Sequence, residues 1–145
     1  MSYQERVTYI AGMLESLTDA GTVHNRTRMM ANFGQFIRAF QDPGTGRING
    51  WSVSRIAPTG EASPRWSETY RLTKFRGIED AEASELAFQE GLDQAARLFR
   101  DQTELPFASI GEGLRITNID ERMFGSVLCH VAECELVVSL YYSDL

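Results

Sequence analysis

The order of apolar patterns along the chain is the feature that most constrains its fold. Three segments repeat apolar residues every three or four positions, which predicts amphipathic helices, whereas the other apolar segments alternate and favour strands. The resulting order is helix, short strand, helix, strand pair, helix, strand pair. Since strands and helices do not alternate regularly, we expect an α+β fold with a mainly antiparallel sheet of about four to five strands packed against helices. The length fits a single domain over residues 1–145.

Each predicted helix has one apolar stripe. The stripes comprise Val7, Ile10, Ala11, Leu14 and Leu17 in the first helix, Met29, Met30, Phe33, Phe36, Ile37 and Phe40 in the second, and Ala81, Phe88, Leu92, Ala95 and Phe99 in the third. Pro43 and Gly44 end the second helix, and Asp80 is the expected N-cap of the third.

The segment from Trp51 to Gly77 predicts a long projecting β-hairpin with basic character. Its arms alternate, with Trp51 and Val53 on one face, and its loop over 57–65 contains two prolines that cannot donate to a ladder. The segment holds five cations and two carboxylates, a balance of +3, on a chain whose net charge is −6. The hairpin is therefore basic on an otherwise acidic protein.

The closing segment "SVLCHVAECELVVSLYY" predicts one long strand. Alternation places Leu128, Ala132, Cys134, Leu136, Val138 and Leu140 on one side, with His130 as the polar exception. Cys129 and Cys134 then point to opposite faces about 16 Å apart, too far for a disulfide. We expect two free thiols in a reducing compartment.

The sequence shows no convincing site for catalysis, a cofactor or a metal. The Cys and His groups of "CHVAEC" splay to both faces of a strand, whereas a structural zinc site needs them to converge. The chain has only His24 and His130 as candidate imidazole bases, and no GxSxG turn accompanies them. The glycines of "GTGRING" follow a helix instead of leading from a strand into one, so they do not predict a nucleotide site. We expect no enzyme activity.

The bulk properties exclude several partners. The acidic net charge argues against general nucleic-acid binding and against an anionic membrane surface. No apolar run reaches the ~20 residues of a membrane span, and Glu5 and Glu15 interrupt what would be a secretory signal. We expect a protein that stays in the cytoplasm where it is made.

The basic hairpin has three interpretations. Its aromatic and basic side chains could stack on single-stranded nucleic acid, or it could be an ordinary solvated face. The third interpretation notes that residues 78–104 hold eight carboxylates and two arginines, a balance of −6, so that copies could pair head to tail and close into a ring. The predicted positive side is Arg65, Arg71, Lys74 and Arg76 with Trp66 as an aromatic anchor, and the predicted negative side is Glu82, Glu85 and Glu90.

The pattern of the chain resembles the tail terminator, or tail-completion, proteins of long-tailed bacteriophages. The likeness rests on "GTVHNRTR", "INGWSVSR", the arm "RWSETYRLTKFRG" leading into a long acidic helix, and the Val- and Leu-rich closing strand. The resemblance implies an α/β sandwich with a projecting hairpin and no cofactor. It further implies a ring, typically a hexamer, that caps the head-proximal end of the tail tube in the neck region of the virion, after assembly in the host cytoplasm. The implied partners are the tail tube protein and a head-completion or connector protein.

Two alternatives remain. Head-closure and tail-tube subunits share small α+β designs and ring assembly. A small-molecule enzyme or binding protein would use a pocket under the helix from Met29 to Phe40.

Overall fold

The computed structural model describes residues 1–26, 33–56, 66–79, 83–124 and 127–141. In these ranges the elements are α1 (Tyr3–Glu15), β1 (Thr22–His24), α2 (Phe33–Phe40), β2 (Asn49–Ile56), β3 (Ser67–Gly77), α3 (Ser84–Asp101), β4 (Ala108–Phe124) and β5 (Val127–Leu140). The strands form one sheet in the order β1-β2-β3-β5-β4, in which β1 and β2 are parallel and all other neighbours are antiparallel. The predicted α+β class with a mainly antiparallel sheet is confirmed.

Helix α1 begins at a capping box. The Ser2 side chain accepts from the Glu5 backbone N–H, and the Glu5 carboxylate accepts from the Ser2 backbone N–H, which satisfies two otherwise unpaired donors. The predicted stripe is buried at Val7, Ile10, Ala11 and Leu14 and packs in the same core as Trp51 and Val53 of β2.

Helix α3 confirms the predicted stripe at Phe88, Leu92, Ala95 and Phe99, which all pack in one core with β5. The expected N-cap at Asp80 is wrong, because the helix begins at Ser84. The preceding residue, Ala83, has a left-handed φ of 53° and makes no capping side-chain bond. Asp80 and Ala81 themselves lie outside the described residues.

The sheet has apolar groups on both faces. Helices α1 and α3 cover the face that carries Leu72, Cys134 and Leu136, which we call the helical face. On the opposite face, which we call the outer face, α2 packs through Phe40 on a second cluster that includes Phe75, Cys129 and Val131. The predicted placement of the two cysteines on opposite faces is therefore confirmed, and both are free and buried.

Part of the predicted second helix lies outside the described residues. Met29 and Met30 lie outside the described residues, as do the side chains of Phe33 and Phe36. At the described end of α2, Phe40 is buried and Ile37 packs against the same cluster, as the predicted stripe requires, and Ala39, which is not part of that stripe, is buried as well.

A projecting hairpin between Trp51 and Gly77 is not confirmed. Strands β2 and β3 do pair antiparallel, from Asn49 opposite Arg76 to Ile56 opposite Thr69. However, β3 also pairs along its whole length with β5, so it lies in the middle of the sheet. The predicted loop at 57–65 lies outside the described residues.

The edge of the sheet opposite β1 is β4. This strand starts at Ala108, five residues before the alternating segment "GLRITNIDERMF", and it pairs with β5 in a register that shifts after Ile110 and again after Ile116. Among the described helices, none is both long and apolar enough to cross a membrane.

Candidate assembly surface

Among the described residues of the predicted positive surface, Arg71 is the exposed cation. It lies on β3 between Tyr70 and Leu72, which are both buried on the helical face, so alternation directs Arg71 to the outer face. Its cross-strand partner on β5 is Glu135, which accepts a hydrogen bond from Arg115 of β4 at 3.0 Å. These three residues form a row of charged side chains across three strands of the outer face.

The solvent side of α3 carries the predicted acidic groups. Glu85, Glu90 and Asp93 are exposed, and Glu90 accepts a bond from Arg97 at 3.0 Å. Because α3 packs on the helical face, these carboxylates and Arg71 lie on opposite sides of the sheet. They cannot pair within one molecule.

The prediction that Lys74 belongs to an exposed positive surface is wrong. Its side chain is 1% exposed and lies on the helical face, with Nζ 5.0 Å from the centre of the Trp51 ring. Alternation explains the position, since Lys74 follows Tyr70 and Leu72 at two-residue steps. Burial, together with the nearby charge of Arg76, lowers the pKa of Lys74 to about 8.

Arg76 is also withdrawn from the surface. Its side chain is 13% exposed, and Nη1 donates to Asp19 Oδ2 at 2.7 Å. Asn49 Nδ2 donates to the backbone oxygen of the same Asp19, which fixes the turn between α1 and β1 against β2 and β3. Arg76 therefore forms a structural ion pair with Asp19, and this pair joins two parts of the fold.

The remaining predicted interface residues divide into two groups. Trp66 is 48% exposed next to the start of β3, where its backbone oxygen accepts from the Leu140 N–H. Arg65 and Glu82 lie outside the described residues. Of the eight predicted residues, the described exposed ones are Trp66, Arg71, Glu85 and Glu90.

A buried charged cluster around Glu68 was not predicted. Arg6 of α1 binds the Glu68 carboxylate with two bonds, Nε to Oε1 at 2.7 Å and Nη2 to Oε2 at 2.8 Å. Arg55 donates to Oε2 and the Tyr70 hydroxyl donates to Oε1, both at 2.6 Å. Tyr3 stacks on Tyr70 and lies under the Arg55 guanidinium. One carboxylate thus connects α1, β2 and β3.

The electrostatics of this cluster favour the charged carboxylate. Burial alone would raise the pKa of Glu68, but hydrogen bonds from Arg6, Tyr70 and Arg55 lower it to about 2. The sequence did contain a signal, because Glu68 lies two residues before Tyr70 in the alternating pattern of a buried face. A carboxylate at such a position needs a cation, and no local spacing identifies Arg6, which is 62 residues away.

His130 makes contacts that hold the fold together. His130 Nε2 is 3.2 Å from the Ser84 hydroxyl, which also accepts from the Glu79 N–H, and the imidazole stacks on Phe88. This contact ties the start of α3 to β5.

Burial raises the pKa of Cys129 and of Cys134 to about 12, so both thiols stay protonated at neutral pH. The described ranges contain no group of three or more His, Cys, Asp or Glu residues arranged to hold a metal.

A cleft of about 830 Å³ lies at the end of the sheet beside the C-terminal end of α2. Polar groups lining it include Asp19, Asp42, Arg47, Arg76 and Glu79. Arg76 is already bonded to Asp19, and Arg47 lies 3.6 Å from Glu79. The charged groups of the cleft are thus largely neutralised by each other.

Comparisons with known proteins give little information. No family model and no curated protein matches the chain. A solved structure of a protein whose name states no function is 18% identical, covers 98% of this chain and 97% of its own, and has a TM-score of 0.44.

Proposed function

We propose that this chain is a structural subunit that assembles into a ring, as the tail terminator proteins of long-tailed bacteriophages do. In this proposal the ring caps the head-proximal end of the tail tube in the virion, stops tube growth and joins the tail to the head. Its partners are copies of itself, the tail tube protein and a head-completion or connector protein. The subunit uses no cofactor and performs no catalysis.

The observation that carries the proposal is the placement of opposite charges on opposite sides of one sheet. Arg71 is exposed on the outer face, whereas Glu85 and Glu90 are exposed on α3, which covers the helical face. A surface with this arrangement can contact the opposite side of a neighbouring copy, and such head-to-tail contacts close into rings when the rotation between copies allows.

These charges set the orientation of the contact more than its strength. Arg71 lies beside Glu135, and Glu90 is bonded to Arg97, so each is partly neutralised in its own chain. Exposed pairs of this kind contribute little free energy, but like charges placed opposite each other suppress an interface. Charge reversal is therefore a stronger test than charge removal.

The test uses three variants. Arg71→Glu, and separately Glu85→Lys with Glu90→Lys, should each prevent ring formation, measured by native mass spectrometry and by joining of heads to tails in an infected-cell extract. The triple variant restores opposite charges at every contact, and rings should form again. Arg76 is left unchanged because its bond to Asp19 is part of the fold.

A matched control is Glu15→Lys, since Glu15 is an exposed carboxylate at the end of α1, outside the acidic segment 78–104. It should leave assembly unchanged. Rings that form normally with Arg71→Glu, or a triple variant no better than its parents, would contradict the proposed contact. Growth of open tubes by the purified protein would instead favour a tail-tube subunit. A strict monomer that binds a small molecule in the 830 Å³ cleft would favour a binding protein or enzyme.

A further inference from the structure

The free edge of β4 is the longest unpaired strand edge in the described residues. Along one edge, β4 pairs with β5 as far as Phe124. Along the other edge, the described residues contribute only a bridge from Glu104 to Ser109 at the start of the strand. From Gly111 to Phe124 no residue is buried, and this stretch contains neither proline nor lysine, which often protect edges.

Part of this edge is regular enough to pair with another strand. The two register shifts lie before Asn118, and from Asn118 to Phe124 each residue of β4 is directly opposite one residue of β5. Six of these residues, from Asn118 to Met123, are as long as a typical strand, and their outward N–H and C=O groups form a template for an added strand.

Exposed apolar side chains accompany the free edge on the helical face. Ile119 is 48% exposed and Met123 is 59% exposed, and both lie on the same face because each is opposite a helical-face position of β5. Ile116 and Leu128 are exposed nearby. α3 does not cover this strip, so an added strand would remove apolar surface from water on this face.

We propose that a second copy of this chain pairs its own β4 antiparallel with this edge, about a twofold axis centred at Glu121. Ile119 of each copy then faces Met123 of the other on the helical face. On the outer face Asp120 of each copy faces Arg122 of the other, so that the Arg122–Asp120 pair within each chain, 3.2 Å apart, is extended to the neighbouring copy. The two sheets become one continuous sheet of ten strands, twice the five of one chain.

The side chains select this register. A twofold antiparallel pair places one residue opposite itself, and all other pairs must share a face. If Asp120 were central, it would face its own copy and Ile119 would face Glu121. If Arg122 were central, two cations would meet and Met123 would face Glu121. The register centred at Glu121 alone combines two apolar pairs with two pairs of opposite charge.

The proposed register has one unfavourable pair, Glu121 against Glu121. Like charges directly opposite each other destabilise a strand pair. Glu121→Gln should therefore lower the Kd of the dimer by about two- to fivefold, measured by sedimentation equilibrium. This surface is separate from Arg71 and from the acids of α3, so the proposal does not depend on the proposed ring.

Cysteine pairing tests the register directly. Both native cysteines are fully buried, so a cysteine introduced on β4 is the accessible thiol. Ile119→Cys and Met123→Cys proteins, mixed and treated with diamide, should give a disulfide-linked dimer containing one chain of each. Either variant alone should crosslink at least tenfold less, because two copies of one position lie about 13 Å apart, beyond the reach of a disulfide.

Side-chain charge tests the interface without crosslinking. Ile119→Lys should abolish the dimer in sedimentation, whereas Val137→Lys, at an exposed apolar position on the outer face of β5, should leave it intact. Circular dichroism melting of both variants confirms that they fold. A wild-type chain that stays monomeric at millimolar concentration, equal crosslinking of single and mixed variants, or a dimer unaffected by Ile119→Lys would overturn the proposal. Reversal of Arg71 should leave this dimer unchanged.

Discussion

Gly91 of α3 lies directly over the side chain of Lys74 on β3. A Cβ atom at position 91 would come 2.8 Å from Lys74 Cε and 3.0 Å from Nζ. The glycine costs about 1 kcal/mol of helix propensity relative to alanine, and it leaves room for a buried ammonium group above the Trp51 ring. The helix and the strand are therefore matched at this point to a charge inside the core.

The first prediction is that this charge makes stability depend on pH. The folded-state pKa of Lys74 is about 8, below the usual 10.5, so between these values the unfolded chain binds the proton more readily. The lysine therefore costs stability below pH 8, and this cost disappears as the pH rises to 10.5. Lys74→Met removes the charge, and its advantage over the wild type should shrink by up to about 3 kcal/mol across this window.

Urea unfolding of both proteins at pH 7, 8, 9 and 10 measures this difference. The two thiols also titrate in this range in the unfolded chain, but they are present in both proteins, so their contribution largely cancels in the comparison. A constant difference at all four values would show that the pKa of Lys74 is the same in the folded and the unfolded chain, so that burial does not disfavour its charged form.

Lys74 also shows what the sequence could and could not predict. The face of the sheet on which Lys74 lies could be predicted, because Lys74 continues the two-residue steps of Tyr70 and Leu72. The prediction is wrong because the net charge of a segment does not show which face of the sheet each charge occupies. The same pattern places Arg71 correctly in solvent.

The sheet order was beyond local patterns. Alternation identified β2, β3 and β5 as strands, but the central place of β3 depends on its pairing with β5, a contact between residues about 60 positions apart in the chain. The basic hairpin was therefore expected to project, whereas the structure places the free edge at β4. The Arg6–Glu68 pair was missed for the same reason.

The second prediction concerns the thiols. Cys129 and Cys134 are buried in separate clusters, and burial raises the pKa of each to about 12. Neither should react with Ellman's reagent in the native protein, and both should react after unfolding without a reductant. Rapid reaction of the native protein, or a native mass lower by two hydrogens, would show that one is exposed or that the two are bridged.

The third prediction compares two apolar residues of α3. Phe99 is fully buried, so Phe99→Ala should lower the free energy of unfolding by about 3–5 kcal/mol. Leu86 is 72% exposed, and Leu86→Ala should change it by less than about 0.5 kcal/mol. Equal urea midpoints for the two variants would mean that the buried side of α3 is assigned wrongly.

The last prediction concerns the cluster that joins α1 to the sheet. Glu68→Gln preserves the shape of the side chain but leaves the Arg6 guanidinium, which is mostly buried, without its counter-ion. Removing one partner of a buried ion pair typically costs about 3–5 kcal/mol, and urea unfolding at pH 7 should show a loss of this order. Glu90→Gln removes an exposed pair with Arg97 and should cost less than about 1 kcal/mol.

The pH dependence of Glu68→Gln distinguishes lost charge from lost shape. The folded-state pKa of Glu68 is about 2, below the usual 4.5, so its carboxylate stabilises the fold fully above pH 4.5 and progressively less as the pH falls toward 2. The difference in the free energy of unfolding between the wild type and Glu68→Gln should therefore narrow as the pH falls from 4.5 toward 2. A packing defect would leave this difference constant. If the difference stays constant, the carboxylate is not the charged centre of the cluster, and the attachment of α1 depends on apolar contacts such as Val7 and Ile10 alone.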